Sequence, residues 1–276
     1  MSRNSRGLWS FLLLTFGFFW GYILLAIQLD LSLDNPLYQL PMGFTPAIAA
    51  VIVRGWITRE GFADAGLGPR FRAAWRWYLL AWVTPIGVLA SLVVLATVFT
   101  DYRPTGLLDV LPLVFVALIV PPIFWGEEFG WRSYLQQRLS ERPAVAILGT
   151  GAIWAVWHWP LAFSGYIEYD NLAVGLGSWS LHTISMGIVL AWLFVKSGSV
   201  WVTSLAHGCS NMVTGVGGEM LLGENGGLSQ VTRDVIGVIP LLVLAGVVVA
   251  IGGLRRARLH EAPAAGPAPL SRAALT

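Results

Sequence analysis

The sequence predicts an all-α membrane protein, a polytopic bundle of about eight transmembrane helices with both chain ends in the cytoplasm. Of its 276 residues, 56% are hydrophobic and 12% are charged, which is about half the charged fraction of a soluble domain. The chain also holds 14 Trp, a residue that is enriched where membrane meets water. In such a chain a net charge of +2 reports on topology and gives no support to nucleic-acid binding.

Apolar runs bounded by charged residues, Pro or Gly give the candidate spans. They are residues 8–29, 41–57, 77–99, 107–127, 143–163, 174–195, 199–217 and 235–254. The first run follows Arg3 and Arg6, is longer than a signal-peptide core and has no small-residue cleavage site after it. We therefore expect it to remain as a span.

The basic residues test this order of spans, because cytoplasmic segments are rich in Lys and Arg. With the N-terminus inside, all of the 17 basic residues except Arg103 and Arg233 fall on inner segments. We therefore expect one transmembrane domain over residues 1–258, with a cytoplasmic loop and an interfacial stretch at 58–76. The Ala- and Pro-rich segment 259–276 is expected to be a disordered cytoplasmic tail, in which His260 has no role.

Two adjacent acids, Glu127 and Glu128, lie at membrane depth, where ionisable residues are costly and mark functional sites by default. Neighbours on a helix point about 100° apart, so Glu128 can pair with Arg132 at i, i+4 while Glu127 faces another group. A carboxylate left unpaired in a buried cavity is suited to act as a general base. The alternative places both acids in the headgroup zone, but the helix is predicted to continue to Leu139.

Two further motifs place a histidine at helical spacing from another candidate residue. Trp154 and His158 are at i, i+4, and so are His207 and Asn211. A neutral His and a carboxamide on one face can bind a metal, hold a water or donate to an oxyanion. The alternatives are a structural His among aromatic residues and hydrogen bonds that join helices.

The depth of these residues favours one shared site. Counted from the predicted cytoplasmic helix ends, Glu127, His158 and His207 lie about 18, 22 and 12 Å into the membrane. All three then fall in a slab near the middle of a ~30 Å hydrocarbon core. His182 has a compatible depth and stays open as a ligand, a supporting group or a structural residue.

The motifs together resemble the CAAX prenyl protease and bacteriocin-processing family of intramembrane endopeptidases, also called the Abi or type II CAAX prenyl endopeptidase family. They read Glu-Glu-x-x-x-Arg at 127–132, aromatic-x-x-x-His at 154–158 and His-x-x-x-Asn at 207–211. The resemblance covers residues 107–217, and its strength lies in the order and spacing of short motifs. Trp154 stands where the family usually has Phe, and Trp131-Arg132-Ser133 follows the acids where Phe-Arg-Gly is common.

The resemblance implies a multi-pass endopeptidase of a bacterial cell membrane. In this reading Glu127 activates the attacking water, His158 and His207 orient that water or ligate a metal, and Asn211 stabilises the oxyanion together with His207. Glu128 and its partner at position 132 support the site.

The metal and the substrate stay open at this stage. Glu127, His158 and His207 could supply three ligands to an open zinc site, and a metal-free glutamate protease agrees with the resemblance equally well. The implied partners are the lipid bilayer and a peptide or protein substrate, and family substrates include prenylated tails and peptide precursors. Nucleic acid is not expected, and the oligomeric state is undetermined.

Two other functions are weighed beside the protease. One is a membrane scaffold or immunity protein of the same family, which binds a partner without cleaving it. The other is a transporter with a proton relay, which requires helices broken within the membrane. Pro121-Pro122 and Pro160 give the transporter weak support.

Overall fold

The computed structural model describes residues 3–33, 35–224 and 226–256, and all regular structure within these ranges is helical. In chain order the α-helices of this part are α1 (Arg3–Gln28), α2 (Pro36–Ile52), α3 (Phe71–Phe99), α4 (Leu111–Val116), α5 (Pro121–Glu128), α6 (Gln136–Arg138), α7 (Pro143–His158), α8 (Leu172–Ser197), α9 (Val200–Cys209) and α10 (Gln230–Ala250). The predicted all-α class is confirmed. The predicted tail at 259–276 lies outside the described residues.

Tighter and wider helical turns extend these helices. Stretches of π-helix cover Val53–Ile57, Phe129–Leu135, Ser210–Val216 and Glu219–Glu224. Short 3-10 helices cover Leu107–Val110, Trp159–Phe163 and Gly253–Arg255. One of the π-helical stretches joins α5 to α6, so that a continuous helical rod carries both acids of the first motif.

Six helical segments of the described chain are long and apolar enough to cross a membrane. They are Arg3–Gln28, Leu37–Ile57, Phe71–Phe99, Pro143–Phe163, Leu172–Ser197 and Gln230–Ala250. A seventh results if Leu107–Val116 and Pro121–Arg138 together form one bent span. The predicted count of eight is therefore not confirmed, and the inner position of both chain ends stays a prediction.

The predicted span over 107–127 is bent in the structure, and whether it crosses the membrane as one span stays a prediction. The chain bends by 67° between Val116 and Pro121, and both acids lie on the second segment, which continues to Arg138. Consecutive prolines at 121 and 122 explain the break, because proline lacks the backbone N–H that would continue the helical hydrogen bonds of the preceding turn. The predicted continuation of this helix beyond the acids is confirmed.

Close packing holds α5 between α2 and α9. A Cβ added at Gly126 would lie 2.5 Å from the carbonyl oxygen of Gly43, and one added at Gly130 would overlap with Pro46. Because the two glycines are four residues apart, they form one small-residue face that lets α2 approach α5 closely. On α9, a Cβ at Gly208 would lie 2.8 Å from the ring of Phe124.

Buried polar contacts fix the loop of residues 58–70, which connects α2 to α3. Arg54 is fully buried and donates to Asp64 Oδ1 at 2.7 Å, to the Gly61 carbonyl at 2.8 Å and to the Ser133 carbonyl at 3.1 Å. Ser133 Oγ in turn donates to the Ala65 carbonyl at 2.7 Å. Arg54, one of the inner-side charges in the topology argument, is thus an internal anchor for this loop.

A sharp turn between α8 and α9 sets the direction of the helix that carries His207. Gly198 ends α8 with a positive φ of 66°, and Ser199 Oγ accepts from the backbone N–H of Trp201 at 3.3 Å. The same hydroxyl donates to the carbonyl of Gly68 in the 58–70 loop at 2.8 Å. The loop therefore braces the start of α9 as well as the end of α2.

Candidate active site

The adjacent acids Glu127 and Glu128 face different partners, as their helical spacing predicts. Glu128 is completely buried, and its Oε2 lies 3.3 Å from Arg132 Nε. Its other oxygen, Oε1, accepts a hydrogen bond of 3.1 Å from His207 Nδ1. The predicted ion pair is thus confirmed, and the structure adds a histidine to it.

Glu127 turns toward α7 and leaves the ion pair of its neighbour. Its Oε2 accepts a hydrogen bond of 2.7 Å from Trp154 Nε1 and lies 3.8 Å from His158 Nε2. The second distance is too long for a direct hydrogen bond, but one water molecule can hydrogen-bond to both atoms. A carboxylate can accept about four hydrogen bonds, so Glu127 keeps free capacity for a reacting water.

Both histidines are held through Nδ1. His158 Nδ1 donates to the carbonyl oxygen of Trp154 at 3.0 Å, and because a carbonyl can only accept, the proton lies on Nδ1. His207 Nδ1 donates to the Glu128 carboxylate for the same reason. The Nε2 atom of each ring is left for a water, a proton or a metal.

Aromatic residues enclose His158. Its ring packs edge-on against Trp157, with 4.6 Å between ring centroids, and against Trp179 at 5.2 Å. The side chain of His158 is only 13% exposed. Electrostatic interactions are stronger in such a water-poor surrounding than in bulk water. The interaction between the His158 ring and the Glu127 carboxylate is therefore stronger here than it would be at the protein surface.

Two sequence candidates lie at the margin of this network. Asn211 follows His207 by four residues, at the start of the π-helical stretch Ser210–Val216, and is exposed. His182 lies on α8 and is partly buried. Neither side chain forms a hydrogen bond within residues 3–33, 35–224 and 226–256, and the role of each stays a prediction.

A zinc ion of the predicted kind requires three ligands that converge on one point. Within the described ranges, no group of three or more His, Cys, Asp or Glu side chains is arranged to hold a metal ion. The free Nε2 atoms of His158 and His207 are chemically suitable ligands, but together with Glu127 they do not form a group of three arranged for a metal. We derive no reaction step through a metal.

The sequence motifs did not predict the hydrogen bond from Trp154 that holds Glu127, the candidate base. They marked Trp154 only as an aromatic residue in place of Phe, whereas the indole N–H of Trp154 donates to Glu127. The available signal was chemical, because a buried Trp usually finds an acceptor for its N–H. The sequence could not say which acceptor that would be.

The fold and the site define a polytopic membrane protein with two buried carboxylate–histidine contacts, a class that suits a hydrolase. Residues 106–213 match the family model described as Type II CAAX prenyl endopeptidase Rce1-like. The match includes all three motifs and confirms the resemblance that they indicated, although it spans less than half of the chain. No curated protein matched the chain.

Proposed function

We propose that this protein is an intramembrane endopeptidase of the CAAX type, in which Glu127 activates the attacking water. The observation that carries the proposal is the buried Glu127 carboxylate, held by Trp154 at 2.7 Å and 3.8 Å from the free Nε2 of His158. The Rce1-like match over the surrounding residues supports the same activity. The 67° break before Pro121 agrees with the transporter as well, but the two prolines are sufficient to explain it, and no feature of the described residues specifically favours the scaffold.

In the proposed reaction, Glu127 removes a proton from water while the water oxygen attacks the carbonyl carbon of the peptide bond. A C–O bond forms, and the carbonyl oxygen becomes an oxyanion. Asn211 and a doubly protonated His207 donate to that oxyanion, and the adjacent Glu128 carboxylate stabilises the imidazolium. Protonated Glu127 then gives its proton to the amine nitrogen as the C–N bond breaks.

Glu128 and Arg132 act on the reaction through His207. Their side chains are essentially inaccessible to solvent, with exposed fractions of 0% and 1%, so they do not contact substrate directly. The carboxylate fixes the His207 ring through Nδ1, and Arg132 compensates the buried negative charge. We therefore assign both residues a positioning role.

An apolar groove of about 600 Å³ lies beside α5 and α9, the helices that carry the site. Trp75 and Trp82 line it from α3, Pro121 from α5 and Leu205 from α9. Leu205 is two residues before His207, so the groove reaches the turn of α9 that carries this histidine, although the two side chains point to different faces of the helix. The groove supports a substrate that carries a long apolar chain, such as a prenylated peptide.

Cleavage of a farnesylated CAAX peptide by purified protein in proteoliposomes tests the proposal. We expect wild type to release a defined fragment, identified by mass spectrometry, and His207→Ala to release none. Asp109→Asn is the control, because Asp109 is an exposed carboxylate on Leu107–Val110, and we expect it to retain wild-type activity. A folded wild type that leaves prenylated and unprenylated peptides intact would contradict the proposal.

Metal analysis of the same protein separates two roles for the free Nε2 atoms. About one zinc per wild-type chain, lost in a His158→Ala/His207→Ala double variant, would make these atoms metal ligands. Metal-free protein that still cleaves the peptide would leave them as proton carriers and water ligands around Glu127. The measurement uses mass spectrometry of detergent-purified samples.

A further inference from the structure

Trp154 contacts several of the proposed catalytic and supporting groups with different parts of the residue. Its indole N–H donates to Glu127 Oε2 at 2.7 Å, and its backbone carbonyl accepts from His158 Nδ1 at 3.0 Å. Its ring lies under Arg132, whose Cζ is 4.5 Å from the ring centroid. The ring also packs edge-on against His207, with 5.2 Å between centroids.

These contacts leave the indole little freedom to move. Trp154 is 2% exposed, and a guanidinium over an aromatic face is attracted by the electrons of the ring. The Arg132 guanidinium is itself held by Glu128, at 3.3 Å between Nε and Oε2. The indole N–H that donates to Glu127 therefore belongs to a side chain with a fixed position.

The hydrogen bond from Trp154 is the one that Glu127 receives within the described part of the chain. It occupies one acceptor site on Oε2, the oxygen that also lies 3.8 Å from His158 Nε2. An unanchored Glu side chain can rotate among several staggered conformers. The indole N–H selects the conformer in which Oε2 faces His158.

We propose that Trp154 is a positioning residue of the protease, whose indole N–H holds the Glu127 carboxylate in the orientation from which it activates water. This inference rests on the proposed function and adds a residue to its machinery. A purely structural role for Trp154 would depend on the volume and the π-face of the ring. The positioning role depends on the N–H as well.

Removing the N–H while keeping the ring separates the two roles. Site-specific incorporation of 3-benzothienylalanine at position 154 replaces the indole N–H by sulfur and nearly preserves ring size. Trp131 is the matched control, since it is fully buried and its Nε1 has no hydrogen-bond partner in the described structure. The same replacement at Trp131 removes an N–H that donates to no acceptor in the described structure.

We expect the replacement at Trp154 to lower kcat for the farnesylated peptide at least about tenfold, because misplacing a catalytic group is costly. We expect KM to change less than about twofold, since the indole contacts the base and not the substrate. The replacement at Trp131 should leave both constants near wild type. Unchanged kcat at position 154, or an equal loss of kcat at 131, would overturn the proposal.

A second readout follows the hydrogen bond itself and does not need activity. In protein labelled with 15N on the indole nitrogen, the Trp154 N–H resonance, assigned by its loss in Trp154→Phe, should move upfield in Glu127→Leu. The Trp131 resonance should not move. A Trp154 resonance with the same chemical shift in wild type and in Glu127→Leu would overturn the inference. A wild-type protein that cleaves no peptide would instead count against the proposed function.

Discussion

Glu127 and Glu128 show how neighbours of the same type acquire different tasks. The backbone turns them toward different helices, so that one carboxylate joins an ion pair with Arg132 and the other meets Trp154. Burial makes the first carboxylate dependent on its cation, because an unpaired charge is expensive away from water. The second keeps acceptor capacity for a reacting water.

Replacing Glu128 by Gln should therefore destabilise the protein more than replacing Glu127 by Gln. Glu128→Gln leaves the buried Arg132 without a counter-ion, which we expect to cost about 3 kcal/mol and to lower the apparent Tm in detergent, followed by circular dichroism. Glu219→Gln is the control, because the Glu219–Arg233 pair is 3.2 Å long but half-exposed at the carboxylate. If Glu128→Gln and Glu219→Gln lowered the Tm equally, Glu128 would not be the essential counter-ion of the buried Arg132.

At this scale the sequence could predict side chains that share a helix face, and it could not predict contacts between helices. The Glu128–Arg132 pair follows from i, i+4 spacing. The hydrogen bonds from His207 to Glu128 and from Trp154 to Glu127 join residues 79 and 27 positions apart. Those contacts depend on how α5, α7 and α9 pack, which motif spacing does not encode.

At the scale of elements, the position of the site depends on how closely α2 approaches α5. Gly130→Ala would place a methyl group against the Pro46 backbone, where it cannot be accommodated by turning a side chain. We expect a loss of about 1–3 kcal/mol and lower protease activity, because α5 carries Glu127.

Gly17→Ala is the matched control for Gly130→Ala. It lies on α1, and no atom lies within 4 Å of a Cβ added there. We expect Gly17→Ala to keep the wild-type Tm and activity, and both properties are measured on parallel preparations. If Gly130→Ala behaves like Gly17→Ala, the proposed tight contact is wrong.

The 58–70 loop should loosen at acid pH. Burial raises the pKa of Asp64, but hydrogen bonds and charge from Arg54 and Arg138 outweigh it and hold the pKa below its usual 3.8. A folded-state pKa below the unfolded value means that the ion pair contributes stability above about pH 4. That contribution is lost as pH falls through the lowered folded-state pKa.

Hydrogen–deuterium exchange in the 58–70 loop measures this effect. Wild-type protein should be protected at neutral pH and lose protection at strongly acid pH. In Asp64→Asn, protection should be reduced already at neutral pH and should change less on acidification. A loop equally protected in both proteins at neutral pH would show that Asp64 does not hold it.

At the scale of the whole molecule, hydropathy predicts the membrane class and the all-helical fold but overestimates the number of clear spans. A hydropathy window averages along the chain and carries no information on direction, so it could not show the bend of 67° before Pro121. The predicted span 199–217 is helical in the structure, as α9 followed directly by the π-helical stretch Ser210–Val216, but it is not among the six segments that are long and apolar enough to cross a membrane. The prolines were visible in the sequence, but the angle that they impose depends on packing.

Labelling from outside the cell tests whether the bent segment crosses the membrane. In the predicted topology, a cysteine in Asp101→Cys reacts with a membrane-impermeant maleimide in intact cells and one in Glu141→Cys does not. The native Cys209 is buried and gives the background. Equal labelling at 101 and 141 would mean that the segment re-enters the same side, and the predicted inside and outside segments beyond it would be wrong.

The central claim is that the Glu127 carboxylate is the base for peptide-bond hydrolysis within the membrane domain. The most direct measurement is the cleavage rate of a farnesylated CAAX peptide by Glu127→Gln beside wild type, with the Tm of both proteins recorded. We predict that cleavage falls by at least about 100-fold while the Tm stays within a few degrees. A Glu127→Gln protein that cleaves at the wild-type rate would contradict the claim and move the search for the base to another residue.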